Sequence, residues 1–219
     1  MNTGTNKTRP KGIIFDLDGT LVNSFQDIAT AVNLTRKEFS FDSLTFEEVK
    51  SMVGSGSVHL VRMLVPVPED QFETAYRTYL GYYEAHILDQ SQVYPGAAKA
   101  LDYFSDRRLF VVTNKNHHLA ELVLGGLGIR DRFTEVLGGD SLPKKKPDPL
   151  PLLTISQRSG LQPDELIMVG DGLHDIEAGK TAGVCTVAVT TGVEPREVLE
   201  KAGPDYLLDS LSELPDLFA

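Results

Sequence analysis

Short apolar segments alternate with helical patterns from about residue 93 onward, and this alternation constrains the fold more than any other feature. The apolar segments, among them "RLFVV", "ELIMVG" and "VCTVAV", have the composition of buried strands. The patterns between them have the apolar spacing of helices about 10 residues long. Strands joined by helices in this way make right-handed crossovers within one sheet. The sequence therefore predicts an α/β fold with a mainly parallel sheet flanked by helices.

The stretch between the first predicted strand, "GIIF", and this alternation is predicted to be helical. It includes a capping box at Thr45 and Glu48, and Pro68 lies near the start of a long helical pattern. From Ser24 to about Leu88 no convincing strand is present. We therefore predict a helical insertion in an α/β core. The predicted domains are a Rossmann-like core formed by residues 1–22 and 93–219, and a helical cap domain formed by residues 23–92.

Composition restricts the partners and the location of the chain. The 219 residues carry a net charge of −10, which argues against nucleic acid because backbone binding needs a basic surface. No apolar run approaches the roughly 18 residues that cross a membrane. Cys185 is the single cysteine, so an internal disulfide is excluded, and the polar N-terminus does not resemble a signal peptide. We predict a cytoplasmic monomer or homodimer with no membrane or nucleic-acid partner.

Polar side chains follow the predicted strands at the points where the strands end. Ligands of an open parallel sheet bind beyond the carboxyl ends of its strands, so we expect these side chains to share one crevice. They are Asp16 and Asp18 after the first strand, Thr113 and Asn114 after "LFVV", Asp171 and Asp175 after "IMVG", and Lys146 at the start of a later helix.

The acidic members of this set favour a hard cation as their counter-charge. Carboxylates that lie close together repel one another, and Mg²⁺ prefers oxygen ligands. A divalent ion would offset the repulsion among Asp16, Asp171 and Asp175. It would also allow a phosphate dianion to approach a carboxylate. The sequence therefore predicts a magnesium site with a phosphate group beside it.

Two carboxylates one residue apart are suited to stepwise hydrolysis of a phosphate ester. One carboxylate can attack phosphorus, and a second acid two residues later can protonate the leaving alcohol and then activate water. Lys146, the Thr113 hydroxyl and backbone N–H groups would hold the phosphoryl oxygens. Gly19 would allow the backbone to approach the phosphate closely.

Four motifs, "DLDGT", "VVTNK", "KKKPDP" and "VGDGLHD", resemble in order and spacing the motifs of the haloacid dehalogenase superfamily. The resemblance covers almost the whole chain and implies magnesium-dependent chemistry on a small phosphorylated metabolite. The implied roles are nucleophile for Asp16, general acid and base for Asp18, phosphate contact for Thr113 and Asn114, a bridge between nucleophile and phosphoryl group for Lys146, and magnesium binding for Asp16, the backbone carbonyl of Asp18, Asp171 and Asp175.

The helical insertion is similar to the small cap of phosphoglycolate phosphatase-like members of that superfamily. "VGSGSVHLVRML" resembles their cap loop, and residues 54–58 carry neither the arginine of related phosphosugar mutases nor the lysine of phosphonate-cleaving relatives. His59 and Arg62, on the helix after this loop, are the candidate residues for substrate selection. Asn23 and Gly172 depart from the usual aspartate and serine of relatives.

Other conspicuous side chains are interpreted as structural or solvated. Lys144 and Lys145 precede Lys146 in a charge run, and we expect both in solvent. Four tyrosines follow helical spacing in the insertion and are expected to pack the cap rather than to form a binding surface. These are Tyr76, Tyr79, Tyr82 and Tyr83.

These features predict magnesium-dependent hydrolysis of a small phosphomonoester through a phospho-aspartate, with 2-phosphoglycolate as the leading substrate. A pyrophosphatase, a sugar or nucleotide monophosphatase and a phosphomutase are the enzymatic alternatives. Two non-enzymatic classes were weighed against them. A phospho-aspartate signalling receiver would be a shorter single domain, and an inactive binding module would lack the nucleophile or the acid.

Overall fold

The computed structural model describes residues 10–218, which form a six-stranded sheet and a two-stranded ribbon. The strands are β1 (Gly12–Phe15), β2 (Val22–Asn23), β3 (Gln92–Val93), β4 (Arg108–Val112), β5 (Glu135–Leu137), β6 (Leu166–Gly170), β7 (Cys185–Val189) and β8 (Tyr206–Leu208). The large sheet has the order β5-β4-β1-β6-β7-β8, and its neighbouring strands are all parallel. The predicted parallel α/β core is confirmed.

Helices connect the strands of the large sheet and fill the segment between β2 and β3. They are α1 (Phe25–Glu38), α2 (Phe46–Lys50), α3 (Ser57–Leu64), α4 (Glu69–His86), α5 (Pro95–Tyr103), α6 (His117–Gly126), α7 (Leu150–Ser159), α8 (Leu173–Ala182), α9 (Arg196–Ala202) and α10 (Leu214–Leu217). Among the helices of residues 10–218, none combines the length and the apolarity that a bilayer crossing requires.

Strand β1 lies at the centre of the large sheet, and its position explains its composition. Ile14 is paired with Phe110 of β4 on one side and with Met168 of β6 on the other. Ile13 and Phe15 belong to one hydrophobic core and Ile14 to another, because successive side chains of a strand alternate between faces. Burial on both faces accounts for the uninterrupted apolar run. The residues that follow β4, β1 and β6 meet at one edge of the sheet.

A short antiparallel ribbon joins the core to the helical segment. Val22 of β2 pairs with Val93 of β3, and Asn23 pairs with Gln92. This ribbon is absent from the sequence prediction, since two residues a strand are too few to show a period. The boundaries predicted at residues 22/23 and 92/93 fall inside it.

Between the two ribbon strands the chain is helical, as predicted. Helices α1 to α4 pack against one another, with α1 and α4 forming the main pair. The capping box at the start of α2 is confirmed: the Thr45 hydroxyl accepts a hydrogen bond from the Glu48 N–H, and the Glu48 carboxylate accepts one from the Thr45 N–H. Pro68 is the N-cap of α4, as its position in the sequence predicts.

Candidate active site

Asp16 follows β1 directly and remains anchored to the sheet. Its backbone N–H donates to the Val169 carbonyl of β6 at 2.9 Å, which fixes the backbone at the strand end. Its Oδ1 accepts a hydrogen bond from the Leu17 N–H at 2.7 Å. The same oxygen lies 2.9 Å from Lys146 Nζ. The carboxylate is therefore held in one orientation at the rim of the crevice.

Lys146 is buried between two carboxylates. Besides its contact with Asp16, its Nζ donates to Asp175 Oδ1 at 2.6 Å, and the side chain is only 2 % exposed. Burial lowers the pKa of Lys146, but the two carboxylates raise it by more, so the net shift is upward. The side chain is a fixed positive charge, as the sequence predicts for a residue that bridges nucleophile and phosphate.

Three carboxylates from three segments form an acidic cluster. Asp16 follows β1, Asp171 follows β6 and Asp175 lies in the first turn of α8. One oxygen from each can be chosen so that all three lie within 4.8 Å of one another. Asp175 is oriented by the Gly172 N–H, which donates to its Oδ2 at 3.0 Å. A set of oxygen donors at this spacing fits a hard divalent cation.

The electrostatics of the cluster show how much it needs a cation. Burial raises the pKa of Asp16 from 3.8 to about 6, with Lys146 opposing the shift and Asp175 adding to it. Burial also raises the pKa of Asp171 well above its ordinary value, and the charges of Asp16 and Asp175 raise it further. A single lysine does not neutralise the three acids. Without a second positive charge the cluster retains protons.

Thr20 and Gly19 shape the position of Asp171, and sequence reasoning missed the threonine. The Thr20 hydroxyl donates to Asp171 Oδ1 at 2.7 Å inside the protein. Gly19 has φ +85, and a Cβ at this position would lie 2.4 Å from Asp171 Oδ2. The glycine is therefore required for the approach of Asp171. The signal for Thr20 was its place in "DLDGT", directly after the two predicted acids.

The Asp18 side chain lies outside the acidic cluster and is held by a second lysine. Lys115 Nζ contacts Asp18 Oδ1 at 2.7 Å and Oδ2 at 2.8 Å, and the Ser24 hydroxyl also donates to Oδ1. The Lys115 side chain is 4 % exposed. Sequence reasoning missed Lys115, although it follows Thr113 and Asn114 in "VVTNK".

Thr113 and Asn114 follow β4, as predicted, and both are buried. The Thr113 hydroxyl oxygen accepts a hydrogen bond from the Lys115 N–H at 3.2 Å. The side-chain NH₂ of Asn114 donates to the Gly54 carbonyl at 2.9 Å and to the Lys146 carbonyl at 3.0 Å. In this arrangement the amide donors of Asn114 tie the crevice to the loop before α3.

A second contact ties the same loop to the core, and it corrects an expectation. Lys145 Nζ donates to the Ser55 carbonyl at 2.7 Å and the side chain is partly buried, so the prediction that Lys145 is solvated is wrong. Lys144 is exposed, as predicted, and pairs with Asp148 at 2.8 Å. The loop over residues 51–56, which we call the cap loop, therefore contacts the core through Lys145 and Asn114.

The two candidate cap residues lie in different surroundings. His59 is exposed and lines a cavity of about 160 Å³ together with Asp16, Asp171 and Lys146. Arg62 forms two hydrogen bonds with Glu69, at 2.7 and 3.0 Å, and stacks on the Phe72 ring at 3.9 Å. Arg62 does not line this cavity or the next among the described residues. His59 is therefore the better placed of the two for a contact with substrate.

A smaller cavity of about 50 Å³ adjoins the first, and Asp16 and Asp18 line both. It is lined by Thr113 and Lys115 from the core and by apolar and tyrosine side chains of the helical segment. Tyr79 and Tyr83 are buried and stacked at 5.8 Å between ring centroids, so their predicted packing role is confirmed. Both rings also line this cavity. The site thus consists of an acidic part and a mixed apolar part on either side of the two first-strand aspartates.

Known proteins match this chain over most of its length. A model of the family described as haloacid dehalogenase-like hydrolase matches residues 13–189. A phosphoglycolate phosphatase of Chromobacterium violaceum is 39% identical over 215 residues, which cover 94% of this chain and 96% of that protein. A phosphoglycolate phosphatase of Rhodospirillum rubrum is 37% identical over 218 residues, covering 94% and 90%.

A solved structure has the same fold. The crystal structure of a predicted phosphoglycolate phosphatase from Haemophilus somnus matches with a TM-score of 0.90 and 30% identity, over 99% of this chain and 100% of that one. The family match spans the strands that carry Asp16, Thr113 and Asp171. Sequence, fold and site agree, and the chain therefore belongs to the haloacid dehalogenase-like hydrolase family.

Proposed function

We propose that the protein is a Mg²⁺-dependent phosphatase that hydrolyses a small phosphomonoester through a phosphorylated Asp16. The fold of the relatives and the grouping of Asp16, Lys146 and the acidic cluster support this function. In the proposal the described core carries the chemistry, and the helical segment, residues 23–92, is the cap. The proposed setting is the cytoplasm, with the enzyme acting as a monomer or homodimer.

Asp16 is the proposed nucleophile. One carboxylate oxygen is occupied by Lys146 and the Leu17 N–H, and the other carboxylate oxygen can attack phosphorus. The attack forms a bond between Asp16 and phosphorus and breaks the bond to the ester oxygen, which leaves with the electron pair. Water then attacks the acyl phosphate and releases inorganic phosphate. One hydrolysis is thereby divided into two easier steps.

Asp18 is the proposed general acid and base. It lines both cavities with Asp16, so it lies beside the group that leaves. In the first step it gives a proton to the departing alkoxide, and in the second it takes a proton from the attacking water. Lys115 and Ser24 hold the carboxylate in place.

Positive charge and hydrogen-bond donors would stabilise the phosphoryl oxygens during both steps. Lys146 supplies a buried ammonium beside Asp16, and Thr113 lines the cavity at the adjacent strand end. The residues that would hold Mg²⁺ are Asp16, the Asp18 carbonyl and Asp171, with Asp175 as the outer acid. When bound, the ion supplies the positive charge that permits a phosphate dianion to approach a carboxylate.

The leading substrate is 2-phosphoglycolate. Relatives that are up to 39% identical over most of the chain bear the name phosphoglycolate phosphatase. The small cavity beside Asp18, about 50 Å³, also favours a leaving group of a few atoms over a sugar or a nucleoside.

The observation that carries the proposal is the contact of Asp16 with Lys146 next to two further carboxylates. Its test is the rate of p-nitrophenyl phosphate hydrolysis with and without Mg²⁺. Asp16→Asn should lower kcat by at least about a thousandfold and leave the melting temperature near that of the wild type or above it. Asp164→Asn, an exposed acid far from the crevice, is the matched control and should retain full activity. Wild-type turnover by Asp16→Asn would refute the assignment of the nucleophile.

A substrate panel tests the ester itself. Rates on 2-phosphoglycolate, pyrophosphate, glucose 6-phosphate and a nucleoside monophosphate should be highest for 2-phosphoglycolate. A higher kcat/KM for pyrophosphate or for either of the larger esters would replace the leading substrate while retaining the phosphatase chemistry.

A further inference from the structure

We propose that Lys115 selects the substrate by binding a negative charge on the leaving group, so that the enzyme takes small phosphomonoesters whose alcohol part carries a carboxylate. The inference rests on the proposed function and assigns one residue to substrate selection. The cap residues His59 and Arg62 do not supply this charge in the small cavity, because neither lines it among the described residues.

Lys115 is the cationic side chain of the small cavity. Among the described residues that line this cavity, it is the one with a positive charge. Lys146 lies in the larger cavity and is already shared by Asp16 and Asp175. A second anionic group bound beside Asp18 would therefore meet Lys115 rather than Lys146.

The ammonium group of Lys115 has capacity for another acceptor. A lysine carries three N–H donors, and the contacts of Nζ with Asp18 account for two. The Tyr83 ring lies 4.6 Å from Nζ and forms a cation–π contact with it. An ammonium group that is this deeply buried loses its hydration, so a further carboxylate beside it is strongly favoured over a neutral group.

Tyr83 provides an independent observation that points to a ligand. Its hydroxyl is buried, lines the same cavity, and forms no hydrogen bond of normal geometry with residues 10–218. Ser24, which affects the pKa of Tyr83 only weakly, donates its own proton to Asp18. A buried hydroxyl without a partner is costly, and a carboxylate oxygen would accept its proton. Lys115 and Tyr83 together could hold the two oxygens of one carboxylate.

The size and the walls of the cavity restrict what accompanies the carboxylate. A volume of about 50 Å³ holds on the order of three to five water-sized groups. Ile28, Leu60 and Leu119 supply apolar wall. A polyhydroxylated leaving group would lose hydrogen bonds to water against these walls without replacement. A carboxylate on one or two carbon atoms fits both the volume and the donors.

Lys115 could instead serve only to position Asp18, and the two roles differ in one measurable quantity. A positioning role acts on the leaving of any alcohol, so removal of Lys115 would slow all esters by the same factor. A role in binding the leaving group acts on the anionic ester alone. The ratio of kcat/KM for an anionic ester to that for a neutral ester of the same size separates them, because losses through Asp18 cancel in the ratio.

The test compares 2-phosphoglycolate with 2-hydroxyethyl phosphate in the wild type, Lys115→Met and Lys115→Arg. The wild type should prefer 2-phosphoglycolate, and Lys115→Met should reduce the ratio at least about tenfold, the loss expected for one charge-assisted hydrogen bond. Lys115→Arg should recover part of the ratio because it restores the charge. Lys201→Met, an exposed lysine of α9, should leave the ratio unchanged.

Each other result overturns the inference. A ratio within twofold of the wild type in folded Lys115→Met shows that Lys115 does not select the substrate, while the phosphatase function stands. A wild type that hydrolyses neither ester nor p-nitrophenyl phosphate refutes the proposed function as well. If the Lys115 variants do not fold, Tyr83→Phe keeps the ring and removes only the unpaired hydroxyl. It should then lower the same ratio at least about threefold, and an unchanged ratio refutes the subsite.

Discussion

The Thr20 hydroxyl donates a hydrogen bond to Asp171 Oδ1 at 2.7 Å, and both side chains are buried. This bond is the one interaction that lowers the pKa of Asp171 apart from the charge of Lys146, and burial with two neighbouring carboxylates opposes it. Thr20 therefore helps to keep Asp171 ionised and fixes which oxygen remains open. An acid that binds a cation depends on such a partner for both properties.

Replacing Thr20 by valine should weaken Mg²⁺ binding. Valine has the shape of threonine but cannot donate, so Asp171 loses its orientation and retains a proton more readily. We expect the half-saturating Mg²⁺ concentration to rise about tenfold at pH 7.5, with a smaller change in kcat at saturating metal. Thr78→Val, in which the lost hydroxyl bonds only to a helix carbonyl, is the control. An unchanged Mg²⁺ dependence in Thr20→Val would argue against this role.

Proton and metal should compete for the acidic cluster. The folded chain keeps the Asp16 proton up to a pKa of about 6, whereas the unfolded chain releases it near 3.8. Asp16 therefore lowers the stability of the metal-free fold as the pH rises through this interval, because the folded state binds more protons there. Mg²⁺ reverses the trend, since it stabilises the ionised carboxylates that form above about pH 6.

The competition can be measured by thermal unfolding between pH 5 and pH 7.5 with and without Mg²⁺. The increase in Tm caused by Mg²⁺ should be small at pH 5 and should grow with pH. One proton displaced from a group with a pKa near 6 makes the apparent Mg²⁺ affinity about tenfold weaker at pH 5 than at pH 7. A Tm increase that is the same at both ends of the range would show that the cluster does not bind the ion.

The predicted site residues came from one rule, and their positions show how far that rule extends. Asp16, Thr113 and Asp171 each follow a strand of a parallel sheet, and neighbouring parallel strands bring such residues together whatever the loops do. Lys146 was found from its motif and lies 2.9 Å from Asp16. Strand ends are thus predictable from the sequence, because they depend on topology rather than on side-chain detail.

Lys115 and the three-lysine run mark the limit of that rule. Lys115 reaches Asp18 across 97 residues of sequence, and its direction depends on the loop between β4 and α6. Lys144, Lys145 and Lys146 are adjacent and chemically identical, yet they contact an exposed aspartate, a cap-loop carbonyl and two buried carboxylates. Composition cannot separate them, because the local path of the turn decides where each side chain points.

Replacing Lys145 by methionine should loosen the cap loop. Lys145 Nζ donates to the Ser55 carbonyl, and its pKa is lowered by burial, so the contact is shielded from water. Loss of one such bond should increase amide hydrogen exchange in residues 51–57 about fivefold to tenfold and should raise KM.

Lys144→Met provides the matched control for this prediction. It removes a lysine of the same run whose partner, Asp148, is on the core surface rather than on the cap loop. Exchange in residues 51–57 should remain at the wild-type rate. Equal exchange in the two variants would show that Lys145 does not hold the loop.

Asp27 should be the side chain that most stabilises the joint between core and helical segment. It lies in the first turn of α1, is 1% exposed, and accepts hydrogen bonds from the Gln90 N–H at 3.0 Å, the Ser91 N–H at 2.8 Å and the Ser91 hydroxyl at 2.6 Å. Asp27→Ala leaves these donors unpaired and should reduce the free energy of unfolding in urea by about 2–4 kcal/mol. Asp42→Ala, at an exposed acid, should change it by less than about 0.5 kcal/mol. Equal stability of the two variants would mean that the chain entering β3 is held by other contacts, and Asp27 would then have no special part in joining the helical segment to the core.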